Sequence, residues 1–321
     1  MISVIIPCYN AEKYVYDSVV SILNQNIHDI EVIVVDDAST DNSLQEIKRI
    51  SDSRLILFSN DKNKGYLRTI NSLLLHTKGE YIAFQDADDL SHPDRLKLQF
   101  EYLIANPEIS IVGTNYAVIS EKGKIIRSHS AEENSEVLAK QLESGNPFQK
   151  PSIMFRREVF LKIGGFREEF LTLKNISEDY DWLLRASHHF QFGNINGEDS
   201  LYFYRMVTTA MTKDFRNINQ LFGHKVAQFL HSQRISNGHD CIESGDLHIV
   251  HSYIDDLSKP YLDDPIKFYE EKTSYLLFGS LYSSAIRCSF KAFWKSPSFR
   301  AFRLVQFCIR KAVYHVFAKN N

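Results

Sequence analysis

The sequence is short of most features that would take it out of the ordinary globular class. No apolar run reaches the ~18 residues needed to span a bilayer, so a membrane-spanning helix is not expected. Only four cysteines occur (Cys8, Cys241, Cys288, Cys308), scattered and without a CxxC pair. That spacing fits neither a disulfide framework nor a zinc site, and buried free thiols are expected. Internal repeats and low-complexity linkers are lacking. With 22 Phe, 16 Tyr and a net charge of only −3, disorder is excluded as the main state. The opening Met1–Pro7 has neither the basic start nor the small-residue cleavage site of a secretory signal, and the chain is expected to be cytoplasmic. The most informative absence is of acid: after Glu271 there is no Asp or Glu, against nine Lys and Arg, so residues 1–271 carry −12. Such opposed halves suit a protein with one face toward an anionic partner.

The first ninety residues alternate strand and helix signals. Ser3–Ile6 is a β-branched run closed by Pro7, and Asn10 stands where a helix N-cap would be, before an amphipathic pattern from Ala11 to about Gln25. Glu31–Val35 is continuous and apolar, as in a parallel strand covered on both faces. A helix from about Asp41 to Ile50, a strand Arg54–Phe58, a turn at Asn63–Gly65, a helix Tyr66–His76 and a strand Tyr81–Gln85 follow. This order predicts an α/β doubly wound, mostly parallel sheet with helices on both faces. Beyond Pro93 the pattern gives a helix to Ala105, a strand Ile109–Val112, a hairpin (Tyr116–Ser120 with Lys124–Ile126), a strand Ser152–Phe155, helices Glu158–Ile163 and Glu178–His189, and a last strand Leu201–Arg205. From about Asp214 the pattern is helical, with polar loops near 236–246 and 257–265.

Three acidic groups fall where chemistry is expected in an open α/β sheet, at strand carboxyl ends and helix N-termini. Asp36-Asp37 follows Val35, where a carboxylate can accept a base N–H or cap the next helix. Asp86-Ala87-Asp88-Asp89 packs three carboxylates into four residues. It reads as an oxygen-ligand site for Mg²⁺ or Mn²⁺, or as a solvated acidic turn. Ser177-Glu178-Asp179-Tyr180-Asp181 opens a helix; its carboxylates suit the N-terminal dipole, and one of them could act as a general base.

Together with Val4–Asn10, Ser21–Gln25, Val34–Asp41, Asn63–Gly65, Gly79–Ile82, Pro93–Leu96 and Gly164–Phe166, these groups make the chain resemble the family 2 glycosyltransferases, inverting enzymes of GT-A fold, over about residues 1–210. The resemblance implies a catalytic domain at 1–213, with a nucleotide-binding half (1–113) and an acceptor half (114–213), followed by a helical region at 214–321. It implies that Pro7, Tyr9, Asn10, Asp37 and Asp86 meet the nucleotide, that Asp88 and Asp86 form the metal pair, and that Asp179 is the catalytic base, with Glu178, Arg68 and Lys150 as further site residues. Where many relatives carry His, this chain has Lys150 and Val207, which removes an imidazole and offers a point charge instead.

The function expected is transfer of a sugar from a nucleotide donor, UDP-linked, to a lipid-linked surface glycan such as lipopolysaccharide, capsule or O-antigen, with Mn²⁺ or Mg²⁺. Two rivals are a non-catalytic nucleotide- or glycan-binding scaffold, and a sugar nucleotidyltransferase. The latter needs a Gly-rich basic loop where this chain has Pro7–Asn10. Residues 272–321 interleave nine cations with aromatics. On a helix from about Ser298 to Ala318, Phe299, Phe302, Gln306, Ile309, Val313 and Phe317 form one side. This reads as an element that meets an anionic membrane surface from the cytoplasmic side, or as a helical subdomain packed on the core. Nucleic acid is not expected, since no binding motif accompanies the charge.

Overall fold

The computed structural model describes residues 1–174, 177–207, 218–278 and 282–318. The chain divides into two compact units: Met1–Thr172 with Ile176–Thr208 and Ala227–Asp240, and Leu173–Asn175 with Thr209–Val226 and Cys241–Asn321. The boundary expected at 213/214 lies outside the described residues.

The first unit begins as the alternation requires, with β1 (Ile2–Cys8), α1 (Val15–Leu23), β2 (Ile30–Asp36), α2 (Ser43–Lys48), β3 (Leu55–Ser59), α3 (Tyr66–His76) and β4 (Tyr81–Phe84). There follow β5 (Leu90–Ser91), α4 (Arg95–Ala105), β6 (Ile109–Thr114), β7 (Tyr116–Ile119), β8 (Ile125–His129), α5 (Ser135–Ser144), β9 (Met154–Arg156), α6 (Arg157–Ile163), α7 (Glu169–Thr172), α8 (Glu178–Ala186), β10 (Gln191–Ile195) and β11 (Tyr202–Arg205). A seven-stranded sheet runs in the order β10-β6-β9-β4-β1-β2-β3. All its neighbours are parallel except β9, which is antiparallel to both β4 and β6. Every residue of β2 is buried, the signature of a strand covered on both faces. A small sheet, β5-β11-β7-β8, is built from strands interleaved in sequence with those of the large one. Pairing of Cys8 with Asp36 and of Ile5 with Phe84 sets the carboxyl ends of β1, β2 and β4 side by side.

The first helix departs from expectation. It starts at Val15, and Asn10 is not its cap. Asn10 takes a left-handed φ of 51°, its backbone N–H donates to Ser39 Oγ (3.0 Å), and its side-chain oxygen accepts from Thr40 N (2.8 Å). The loop after β1 is therefore tied to the loop after β2. Four elements had no counterpart in the sequence reading: β5, β10, α7 and α5, whose N-cap Asn134 accepts from Glu136 N and Val137 N, both at 3.0 Å.

The second unit is helical. α9 (Gly223–Asn237) belongs mostly to the first unit, and the second unit continues with α10 (Leu247–Asp263), α11 (Pro265–Phe278), α12 (Tyr282–Lys295) and α13 (Phe299–Ala318). The loop expected at 257–265 is instead the end of α10, which carries Pro260 within it. α12 packs through Ala285, Cys288, Ser289 and Ala292, and α13 through Ala301, Val305 and Cys308. All four cysteines are buried and free, as expected. Among the described residues no helix is long and apolar enough to cross a membrane.

Candidate active site

The loop after β4 carries two carboxylates that face the site and one that does not. Asp89 is fully buried and holds the two sheets together: Tyr202 donates its hydroxyl to Asp89 Oδ2 (2.7 Å) and Arg205 N donates to Oδ1 (2.6 Å). Burial, with Asp88 and Asp86 beside it, raises the Asp89 carboxyl well above the usual range. Arg205 also donates through Nε to the Asp88 carbonyl (2.7 Å) and lies over the Tyr14 ring. The backbone bearing Asp88 is thus clamped from β11. Arg95 acts likewise from α4. Its guanidinium is fully buried and donates to the Phe84 carbonyl (3.1 and 3.2 Å) and the Pro151 carbonyl (3.0 Å), joining the end of β4 to the turn that carries Lys150. Burial lowers its pKa to about 10. Neither arginine was picked out as a site residue, although Arg95 stands in one of the segments of the resemblance, Pro93–Leu96.

Asp86 is pushed up to about 8 by loss of water first, then by the charges of Asp88 and Asp179. Its Oδ1 lies 3.9 Å from Lys150 Nζ. Lys150 opens a short 3₁₀ turn, Lys150–Ser152, and its ammonium stands 4.3 Å from the centre of the Tyr66 ring. Burial lowers it to about 8, against the opposing pull of Glu178 and Asp179. Glu178, at the start of α8, is raised to about 7 by burial and by Asp179. The structure therefore brings Asp86, Asp88, Lys150, Glu178 and Asp179 into one electrostatic neighbourhood.

Asp179 accepts from Tyr180 N (2.7 Å) through Oδ1 and from Asn146 Nδ2 (3.4 Å) through Oδ2. Asn146, in the turn after α5, had not been singled out. α8 itself is anchored by its inner face. Asp181 is fully buried and accepts from Arg185 Nε (3.1 Å) and Arg234 Nη1 (3.3 Å), with Arg167 Nη1 at 3.7 Å; Asp240 binds both Arg167 and Arg234. Trp182 Nε1 donates to the Gly164 carbonyl (3.0 Å) and Arg185 Nη2 to that of Gly165 (2.6 Å). A Cβ at Gly165 would sit 2.4 Å from Asn71 Oδ1, so a larger residue there would displace Asn71 from its two bonds to the Phe166 backbone.

The other expected nucleotide-side residues lie at the ends of β1 and β2, next to β4 in the sheet. Asp37 is buried, and its carboxylate accepts from Asn60 Nδ2 (2.7 Å), Lys64 N (2.9 Å) and Gly65 N (2.9 Å). Three of its roughly four acceptor positions are thus spent on the turn before α3, leaving one for a ligand. Its neighbour Asp36 keeps Oδ1 buried without a partner. Tyr9 is exposed, Pro7 half-buried, and Asn10 bridges to Thr40. Arg68 is not gathered into the site; it is exposed and pairs with Glu168 at 3.0 Å. Val207 is half-buried after β11 and supplies no ligand side chain.

Residues 3–164, just over half of the chain, match the sequence model described as Glycosyl transferase family 2. The O-antigen biosynthesis glycosyltransferase WbnJ of Escherichia coli is 29% identical over 250 residues, covering 75% of this chain and 94% of WbnJ. The Escherichia coli UDP-Glc:alpha-D-GlcNAc-diphosphoundecaprenol beta-1,3-glucosyltransferase WfgD is 36% identical over 120 residues, 37% of this chain and 47% of WfgD. Among solved structures, S. aureus TarS 1–349 in complex with UDP-GlcNAc matches with a TM-score of 0.58 at 19% identity, over 97% of this chain and 88% of that one. The mannosyltransferase PcManGT of Pyrobaculum calidifontis, in complex with GDP-Man and Mn²⁺, matches with a TM-score of 0.53 at 20% identity, over 99% and 82%. These likenesses carry the GT-A fold, and the match over residues 3–164 carries the assignment: the chain belongs to glycosyl transferase family 2.

Proposed function

We propose that the protein is an inverting glycosyltransferase that moves one sugar from a UDP-linked donor to a hydroxyl of a growing, lipid-linked glycan. One observation carries the division of roles: Asp86, just after β4, and Asp179, at the start of α8, are far apart in sequence yet feel each other's charge. That geometry suits a donor held on the β4 side and a base held on the acceptor side. UDP is favoured because TarS is solved with UDP-GlcNAc and WfgD is named for UDP-Glc. The lipid-linked acceptor rests on the diphosphoundecaprenol in WfgD's name, and the glycan class on the O-antigen role in WbnJ's.

The residues present fit a divalent metal. Asp86 is a half-buried carboxyl pushed upward by loss of water and then by neighbouring negative charge, a hard-oxygen site short of cation. Among the described residues no three His, Cys, Asp or Glu side chains form a closed cage. Mg²⁺ and Mn²⁺ commonly take one or two carboxylates and complete their shell with phosphate and water. Asp88 would hold the ion, with Asp86 beside it; when bound, it supplies Lewis-acid neutralisation of the leaving diphosphate. Asp179, fixed by Tyr180 N and Asn146, takes the proton of the acceptor hydroxyl. Oxygen attack at C1 from the face opposite the departing diphosphate then inverts the anomeric centre. Asp37 keeps one acceptor position for the base N–H, beside Pro7, Tyr9 and Asn10.

The second unit offers a surface for the anionic bilayer that carries such an acceptor. α12 and α13 pack through small residues and leave Trp294 80%, Phe299 76% and Tyr314 75% exposed, among Lys295, Arg303, Arg310 and Lys311. Aromatic and cationic side chains together suit a lipid headgroup layer. Lys319 and the side chain of Phe317, which the sequence placed in this surface, lie outside the described residues.

The test is release of nucleoside diphosphate from UDP-, GDP- and dTDP-sugars with Mn²⁺, Mg²⁺ or EDTA, for the wild type and Asp88→Ala. Slow metal-dependent hydrolysis of a UDP-sugar, lost in the variant, is expected. Hydrolysis of a GDP-sugar alone would replace the donor, and no hydrolysis with no nucleotide binding would favour a scaffold.

A further inference from the structure

Lys150 is a buried ammonium whose chemistry is only partly used. Its side chain is 11% exposed, yet its closest acid, Asp86 Oδ1, is 3.9 Å away, beyond hydrogen-bond reach. A charge-assisted N–H···O bond is normally about 2.7–2.9 Å. None of its three donors makes a hydrogen bond to the described residues, although the cation remains in an apolar setting of Tyr66 and Phe84 rings, 4.3 and 5.7 Å from their centres. A lysine kept only to neutralise a buried carboxylate would be expected to close that gap.

Its position is built. Ile153 N donates to the Lys150 carbonyl (3.0 Å), Ser152 N to that of Gln149 (2.9 Å), and Arg95 holds Pro151 and Phe84 with one guanidinium. The ammonium is therefore fixed relative to the strand end that leads to Asp86. It also lies close enough to Glu178 and Asp179 to feel their charges.

We infer that Lys150 binds the sugar-linked phosphate of the donor diphosphate, as a fixed cation beside the donor carboxylate Asp86 and within reach of the charge of Asp179. This rests on the donor reading above. The bond that breaks joins the sugar to the phosphate nearest the base, and a cation beside Asp86 that also feels Asp179 is placed to meet that phosphate. A diphosphate carries more negative charge than a single divalent ion balances beside these acids, so a further cation next to Asp86 favours its binding. The lysine donors that now lack partners are the ones an oxyanion would take up.

The experiment is titration calorimetry of UDP against UMP, and GDP against GMP, with Mn²⁺, for the wild type, Lys150→Met and Lys150→Arg. Lys150→Met should weaken diphosphate binding by about tenfold or more, the order of one charge-assisted hydrogen bond, while leaving the monophosphate within about twofold. Lys150→Arg should keep most of the diphosphate preference. Thermal melting of each variant reports whether the fold survives. A Lys150→Met protein that binds diphosphate like the wild type overturns the inference, and so does equal loss of mono- and diphosphate, which would mark a structural counter-ion. A wild type that binds neither diphosphate removes the donor reading, and this inference with it.

Discussion

The two units of this chain use the same kinds of residue in opposite places. In the first, Trp182, Tyr180, Phe84 and Phe155 are fully buried, and aspartates and arginines are drawn inside with them. In the second, α12 and α13 meet their neighbours through alanine, cysteine, serine and valine, and the aromatics stand outside. Composition alone would have put both sets of rings in a core. The difference teaches that ring position follows from what the helix packs against: a stripe of small residues seats a helix closely and leaves its large side chains for something else.

The largest effect should come from the buried charges of the first unit. Asp181→Ala leaves Arg185, Arg234 and Arg167 with one fewer anion, and breaking such a buried set costs about 3–5 kcal/mol. A fall in melting temperature of about 10 °C is expected by circular dichroism; a fall of a degree or two would mean that α8 does not depend on this cluster.

Next comes a pH effect confined to the first unit. Asp86 is raised from 3.8 to about 8 and Glu178 from 4.5 to about 7, chiefly by burial, so the folded chain holds these protons more tightly than the unfolded one. Their contribution to stability is complete below the unfolded values and is lost as pH rises through 7 and 8. The metal-free protein should melt lower at pH 8.5 than at pH 5.5, and Asp86→Asn should flatten that slope. An unchanged slope in the variant would place the titration elsewhere.

The second unit should respond to surface changes in binding rather than in folding. Arg303→Glu with Arg310→Glu should release the protein from phosphatidylglycerol vesicles by about tenfold or more, at roughly 1 kcal/mol for each cation removed, and leave the melting temperature nearly unchanged. Equal flotation of both proteins would return these helices to ordinary packing, or to contact with a second copy, which light scattering would reveal. Smallest of all should be the exposed ion pairs. Arg68→Ala, which frees Glu168, and Arg300→Ala, which frees Asp264 and Glu270, should each move the melting temperature by about 2 °C or less, as exposed pairs do. A larger loss at Arg68, seen in donor binding, would return it to the site.

Much of the fold could be read before any coordinates. Hydrophobic runs of β1, β2 and β4 have the lengths and flanks of buried parallel strands, and the Asp86–Asp89 and Glu178–Asp181 groups fall where loops meet strand and helix ends. What escaped reading was non-local. Nothing in Met154–Arg156 says that this strand inserts antiparallel between β4 and β6, because the pairing is set by partners some 40 to 75 residues away. Nor does an arginine announce its own burial: Arg95 and Arg205 look like surface cations until the Phe84 and Asp88 carbonyls they bind are known. By contrast, α5 had a legible start, with Asn134 two residues ahead of Glu136 and Leu138 and Leu142 spaced for one face. Asp37 shows a subtler limit. Its carboxylate was legible as a ligand group, but most of its acceptor capacity is taken by Asn60, Lys64 and Gly65, which only the fold reveals.

The central claim is that Asp86 with Asp88 serves the donor and Asp179 the acceptor. The direct measurement is Asp179→Asn, assayed for sugar transfer and for Mn²⁺-dependent UDP binding in the same preparation. The account predicts transfer reduced by about 10²–10⁴-fold, the contribution of a general base, with UDP binding within about twofold of the wild type. Transfer at the wild-type rate, or loss of UDP binding in step with activity, would contradict it.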